Sequence, residues 1–137
     1  MPIILTFSGE LRNLRLLLAA QDQVLHLFQN DLAISRGTVL AQFVECDWSG
    51  YLPQTYPAAS WTPPALEGQA ARSIGIPATF THNGGPLGNL VYGYWFQDSA
   101  TAELTWCERL QGAPIIVQAG SPPLIIIPSY SVLGMFP

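Results

Sequence analysis

Leu90-Val91-Tyr92-Gly93-Tyr94-Trp95-Phe96-Gln97 is the stretch on which the fold turns. In an extended chain, alternate side chains point to opposite faces. Val91, Gly93 and Trp95 then share one side, and Leu90, Tyr92, Tyr94 and Phe96 the other. Both faces are apolar, so the segment predicts a strand covered on both sides, at the centre of a sheet.

Working outward, Ile76 to Thr81, Ala102 to Leu110, Ile115 to Gln118 and Leu124 to Ile127 are further short β-branched or aromatic runs. Turn signals bound each of them: Asn83-Gly84-Gly85-Pro86, Asp98-Ser99, Gln111-Gly112-Ala113-Pro114 and Gly120-Ser121-Pro122-Pro123. Earlier in the chain, Val24, Leu25, Leu27 and Phe28 make a compact run from Gln23 that stops at Asn30-Asp31, and this reads as the first core strand. Short strands at this spacing predict an antiparallel β-sandwich or a jelly-roll-like barrel.

One helix precedes them. Leucines at 11, 14, 17 and 18 follow the three-and-four spacing of a single apolar stripe over residues 9–20, with Ser8 as the expected cap and Glu10 in the first turn. Between 51 and 66, Pro53, Pro57, Pro63 and Pro64 mark an excursion that cannot feed a central ladder. A mainly β single domain over 1–137 follows, with a sandwich over 23–128 and an extended C-terminal arm over 129–137.

The composition is anomalous in one respect. Of 137 residues 49% are hydrophobic, an ordinary share, yet only 10% are charged, against roughly a quarter in average soluble domains. Fourteen charged residues cannot cover a domain of this size, and large exposed apolar patches mark contact surfaces. The five basic residues are Arg12, Arg15, Arg36, Arg72 and Arg109; there is no lysine, and the net charge is −4. A phosphate backbone needs a clustered basic face, so nucleic acid is not an expected partner. Met1 to Phe7 lack the basic and apolar regions of a signal peptide, and no apolar stretch approaches the length of a membrane helix.

Chemistry finds little support. Cys46 and Cys107 match no zinc spacing, and their pairing is left open. The histidines, His26 and His82, stand in no motif with Ser or Cys, and His26 reads as a packed strand residue. Glu45 and Asp47 share one face if their segment is a strand, and Arg109 or Arg72 is the expected partner for such acids. Gly84-Gly85-Pro86 lacks the lysine and helix of a phosphate cradle. No enzyme activity, metal or cofactor is expected. A small hydrolase would rest on His82, Glu45 and Asp47 alone.

The aromatic set Trp48, Tyr51, Tyr56 and Trp61 reads as core or subunit-interface anchors, with sugar stacking as the alternative use of rings in loops. Tyr130, Leu133, Met135 and Phe136, in the arm, complete the expected interface.

The order of segments resembles that of small virion proteins encoded among the structural genes of tailed bacteriophages. The likeness lies in the N-terminal leucine-rich helix, in Val24-Leu25-His26-Leu27-Phe28-Gln29-Asn30, and in the segment from Val39 to Tyr51. It continues in Ala78-Thr79-Phe80-Thr81, Val91-Tyr92-Gly93-Tyr94-Trp95-Phe96 and Leu104-Thr105-Trp106-Cys107-Glu108-Arg109-Leu110. The resemblance implies a virion structural protein, of the capsid or of the tail, and brings no catalytic residues with it. Taken with the charge deficit, it leads to the expectation of a non-enzymatic decoration or cement protein on the capsid surface ahead of the tail, binding copies of itself as a homotrimer and the major capsid protein. A tail or baseplate receptor- or carbohydrate-binding module is the alternative.

Overall fold

The computed structural model describes residues 6–68 and 70–133. The chain is mainly β, with antiparallel pairings and one helix at its start. Where the sequence suggests one domain, internal packing gathers into two compact units. Unit 1 holds residues up to Asp22, Tyr56–Pro77 and those from Ile127; unit 2 holds Gln23–Thr55 and Ala78–Ile126. No linker composition marks the boundary, because the chain crosses at ordinary peptide bonds between adjacent elements.

Unit 2 is built round the segment quoted first. Strand β1 (Gln23–Phe28), β2 (Gln54–Tyr56, ending where the chain passes to unit 1), β7 (Gly93–Asp98) and β8 (Leu104–Arg109) form a sheet in the order β2-β1-β7-β8. The position of β7 between β1 and β8 follows from its two apolar faces. Gly93, Tyr94, Trp95 and Phe96 are all buried, and each large ring taken from water is worth about 2–3 kcal/mol. In register, Trp95 faces His26 on β1 and Cys107 on β8.

The expected run 90–97 is divided, however. Asn89–Val91 forms a separate strand, β6, paired with β9 (Ile115–Val117), while Tyr92 lies between the two strands, donating to Phe28 O and accepting from Leu110 N, with the Arg109 guanidinium 5.1 Å from its ring centroid. A further ribbon joins β5 (Ala78–Phe80) to β10 (Leu124–Ile126). The Asp98-Ser99 turn works through its side chain, since Asp98 Oδ1 accepts from the backbone N–H groups of Ala100 and Thr101.

Unit 1 contains helix α1 (Phe7–Ala20), β3 (Ala65–Glu67), β4 (Ala70–Ile74) and β11 (Ser129–Leu133), with sheet order β11-β4-β3. The helix begins two residues before the expected start. Thr6 caps it, its side chain accepting from Gly9 N, and Ser8 lies inside. Leu14 and Leu18 are its buried leucines, and the helix lies against β4, β11, β3 and a 3-10 turn at 58–60.

The last of these strands revises the expected arm. Ser129 to Leu133 pair residue by residue with Ile74 to Ala70, and Arg72 donates to both Ser129 Oγ and Glu67 Oε2, clipping β11 and β3 to β4. The reason is the run of β-formers, Tyr130 and Val132 among them, beside an open strand edge. Met135 and Phe136 lie outside the described residues.

Candidate functional site

Among the expected interface residues, burial decides the outcome. Trp48, Tyr56 and Trp61 are 2%, 1% and 8% exposed within a single chain, which removes them from any docking surface. Trp48 lies in unit 2, its indole N–H donating to Thr81 O at 2.9 Å. In unit 1, Tyr56 and Trp61 have ring centroids 5.5 Å apart, and the Tyr56 hydroxyl donates to Ile76 O at 2.6 Å. Burial pushes that phenol up to about 12. Gly75 lets the cluster close: a Cβ there would stand 2.9 Å from Pro128 Cγ and 3.0 Å from Tyr56 Cε2. Prolines keep this stretch out of central ladders but do nothing to keep its rings in water. Tyr130 is half-buried in β11, opposite Ser73, and burial raises its phenol as well. Leu133 ends that strand.

The polar residues singled out for chemistry are brought together in part. His26 Nδ1 donates to Glu45 Oε1 at 2.6 Å, and the Tyr51 hydroxyl donates to the same oxygen at 2.8 Å while accepting from Leu27 N–H at 2.9 Å. The His26 imidazole stacks on the Trp95 indole, centroids 4.8 Å apart and planes 7° apart, and Phe43 stacks on Trp95 as well, at 4.6 Å. Tyr51 is thus committed internally, packed also on Trp48 and Phe80, and burial lifts its phenol well above the ordinary range.

Asp47 takes no part in that trio. It accepts from Gln29 Nε2 and Asn89 Nδ2, and Asn89 in turn donates to Gln29 Oε1. The arginines expected beside these acids are engaged elsewhere, Arg109 with Asp31 and Arg72 with Glu67. A histidine oriented by a carboxylate is half of a general-base machine. Yet no serine, threonine or cysteine hydroxyl or thiol is hydrogen-bonded to His26 among the described residues. Instead the trio pins the Glu45–Tyr51 crossover to β1, where Cys46 N donates to Leu27 O. Cys46 is buried and Cys107 half-buried, and both are free thiols. Burial, then the neighbouring Asp47 and Glu45 carboxylates, push the Cys46 thiol up to about 12, which keeps it protonated and inert. Nowhere among the described residues do three His, Cys, Asp or Glu side chains cluster as a metal would require.

The surface offers a second candidate that the sequence reading passed over. Leu90 and Ile116 are directly opposite in the β6–β9 ribbon and are 44% and 61% exposed, while Val91 and Val117 face inward. Ile125 repeats the arrangement in the β5–β10 ribbon, outward and opposite Thr79, with Ile126 buried. Leu87 and Leu52 are exposed too, each in a loop of unit 2. A signal existed: in Ile115-Ile116-Val117 and Leu124-Ile125-Ile126 the middle residue of a three-residue strand must face away from its neighbours.

No protein-family model, curated protein or solved structure matches the chain.

Proposed function

We propose that the chain is a non-enzymatic structural subunit of a tailed-phage particle, a capsid decoration or cement protein that assembles with copies of itself and seats on the major capsid protein. The observation that carries the contact half of this reading is the outward Leu90–Ile116 pair, on a chain with too few charges to wet its surface. Cross-strand aliphatics left in water cost free energy that burial against a neighbour recovers, about 25 cal/mol for each Å² covered. The particle half rests on the order of segments, which is similar to that of small phage virion proteins over most of the chain.

Adhesion then proceeds through the outer faces of the short ribbons of unit 2, in place of the loop aromatics and the arm. The burial of Trp48, Tyr56 and Trp61 also weakens the carbohydrate-binding alternative, since a stacking platform needs flat faces open to the sugar. Of the residues a hydrolase would rest on, Glu45 is engaged by His26 and Tyr51, Asp47 by Gln29 and Asn89, and His82 by Leu87 and Gly84 of its own loop.

Native mass spectrometry and co-sedimentation with capsids test the proposal. The wild-type chain of 14.9 kDa is expected as a multiple of that mass and to pellet with capsids. Leu90→Asp combined with Ile116→Asp is expected to remain folded and to lose both properties. A monomer at high concentration that ignores capsids would sink the idea.

A further inference from the structure

The loop from Thr81 to Gly88 carries a feature that anchoring and adhesion leave unused. Asn83-Gly84 is the one Asn-Gly pair in the chain, and His82 is wired to it in a defined tautomer. The His82 Nε2 faces Leu87 O, which only accepts, so Nε2 bears the hydrogen. Gly84 N–H, which only donates, points at Nδ1 with N to N 3.0 Å, so Nδ1 holds its lone pair on that amide. A neutral imidazole base is thereby fixed on a backbone nitrogen.

That nitrogen is the nucleophile of a known rearrangement of asparagine, whose slow step requires the amide to lose its proton. The rest of the loop suits it. Asn83 is exposed, and its backbone N–H is tied to Ser49 O at 2.8 Å. Its carboxamide lies against Gly50, where a Cβ would stand 2.6 Å from Asn83 Cγ. Gly84 has φ +93°, and a Cβ there would meet nothing within 4 Å apart from its chain neighbours, so the space beside its Cα is open.

We propose that Asn83 is a self-modifying site, at which His82 serves as general base for attack of Gly84 N on Asn83 Cγ. The N–C bond forms as the Gly84 proton passes to His82 Nδ1. The Asn83 Cγ–Nδ2 bond then breaks, and Nδ2 takes that proton back from the imidazolium and leaves as ammonia. The five-membered succinimide that remains is opened by one water molecule, giving an aspartyl or an isoaspartyl residue. The sum is one water consumed and one ammonia released, with His82 regenerated. The product carries a new carboxylate, which takes the formal net charge of the chain from −4 to −5, and in the isoaspartyl form one extra backbone carbon.

Peptide mass mapping of the folded protein held at neutral pH and 37 °C tests this. Asn83 is expected to convert ahead of Asn13, Asn30 and Asn89. His82→Ala and His82→Gln are each expected to slow it at least about tenfold, the low end of general-base assistance. Unchanged or faster conversion in the folded variants would overturn the proposal, as would conversion of wild type no earlier than the other asparagines. Should neither variant fold, a synthetic peptide spanning 78–90 decides: faster conversion in the folded protein supports the base, and equal or slower conversion refutes it.

Discussion

His26 and Glu45, 19 residues apart in sequence, meet in a hydrogen bond of 2.6 Å whose donor is Nδ1 and whose acceptor is Oε1. Glu45 Oε1 also receives the Tyr51 hydroxyl, so one carboxylate oxygen organises a strand, a crossover and the loop after it. Glu45→Ala would leave a half-buried imidazole and a half-buried phenol without that acceptor. The expected cost is about 1–3 kcal/mol, read as a lower urea midpoint, with Glu45→Gln retaining part of the stability through its amide oxygen. Equal stability of the alanine variant and wild type would show that the crossover is held by backbone bonds alone.

Gly93 is required by close approach. A Cβ there would lie 2.2 Å from Glu108 O and 2.6 Å from two ring carbons of Phe28. Because the first obstacle is backbone of the neighbouring strand, it cannot rotate away. Gly93→Ala should cost about 3 kcal/mol or more, seen as a thermal midpoint lower by ten degrees or so in a domain of this size. A variant melting with wild type would mean that β8 shifts freely along β7.

Alkaline pH should weaken the fold through Cys46 and Tyr56. The Cys46 thiol has an ordinary value of 9.0 and is held at about 12 in the folded chain, and the Tyr56 phenol moves from 10.0 to about 12. Above the ordinary value the unfolded chain releases the proton while the folded chain keeps it, so stability falls as pH rises. Each contribution is complete below its ordinary value and fades toward pH 12, at a limiting slope of about 1.4 kcal/mol per pH unit per group. Urea titrations from neutrality to about pH 11 should show this decline, and Cys46→Ala should flatten the part that begins first. A slope unchanged in that variant would exclude the thiol as its source.

Removal of residues 129–137 should damage unit 1 rather than merely detach an arm. The truncation strips β11 from β4 along its whole length and frees Arg72 of one of its two partners. Limited proteolysis should then cut within 56–77 while leaving the β1-β7-β8 sheet protected. Protection of 56–77 in the truncated chain would restore the view of the segment as a loose tail.

Much of the architecture was legible because it depends on local pattern. The helix stripe at Leu14 and Leu18, the first strand at Gln23–Phe28 and the central place of Tyr94, Trp95 and Phe96 all follow from spacing and apolarity. The division at Tyr92 was not, because Leu90 and Val91 look like a continuation of the strand, and only their pairing with Ile115 and Ile116 sets them apart. The candidate site was read less well. Whether Trp48 faces solvent depends on Thr81 and Tyr51, and whether Trp61 does depends on Tyr56, Gly75 and Pro128. None of these contacts is encoded in the residues next to the indoles. Glu45 found a histidine rather than an arginine for the same reason.

The assembly of unit 1 from three separated pieces sets an order of events during synthesis. Of its pieces helix α1 is made first, but β4, on which it rests, follows only after the first segment of unit 2, and β11 follows the second. The apolar side of α1 must therefore wait, uncovered, for its sheet. A chain released early forfeits the strand that closes unit 1, and the exposed leucine stripe then marks the nascent product for chaperones and proteases.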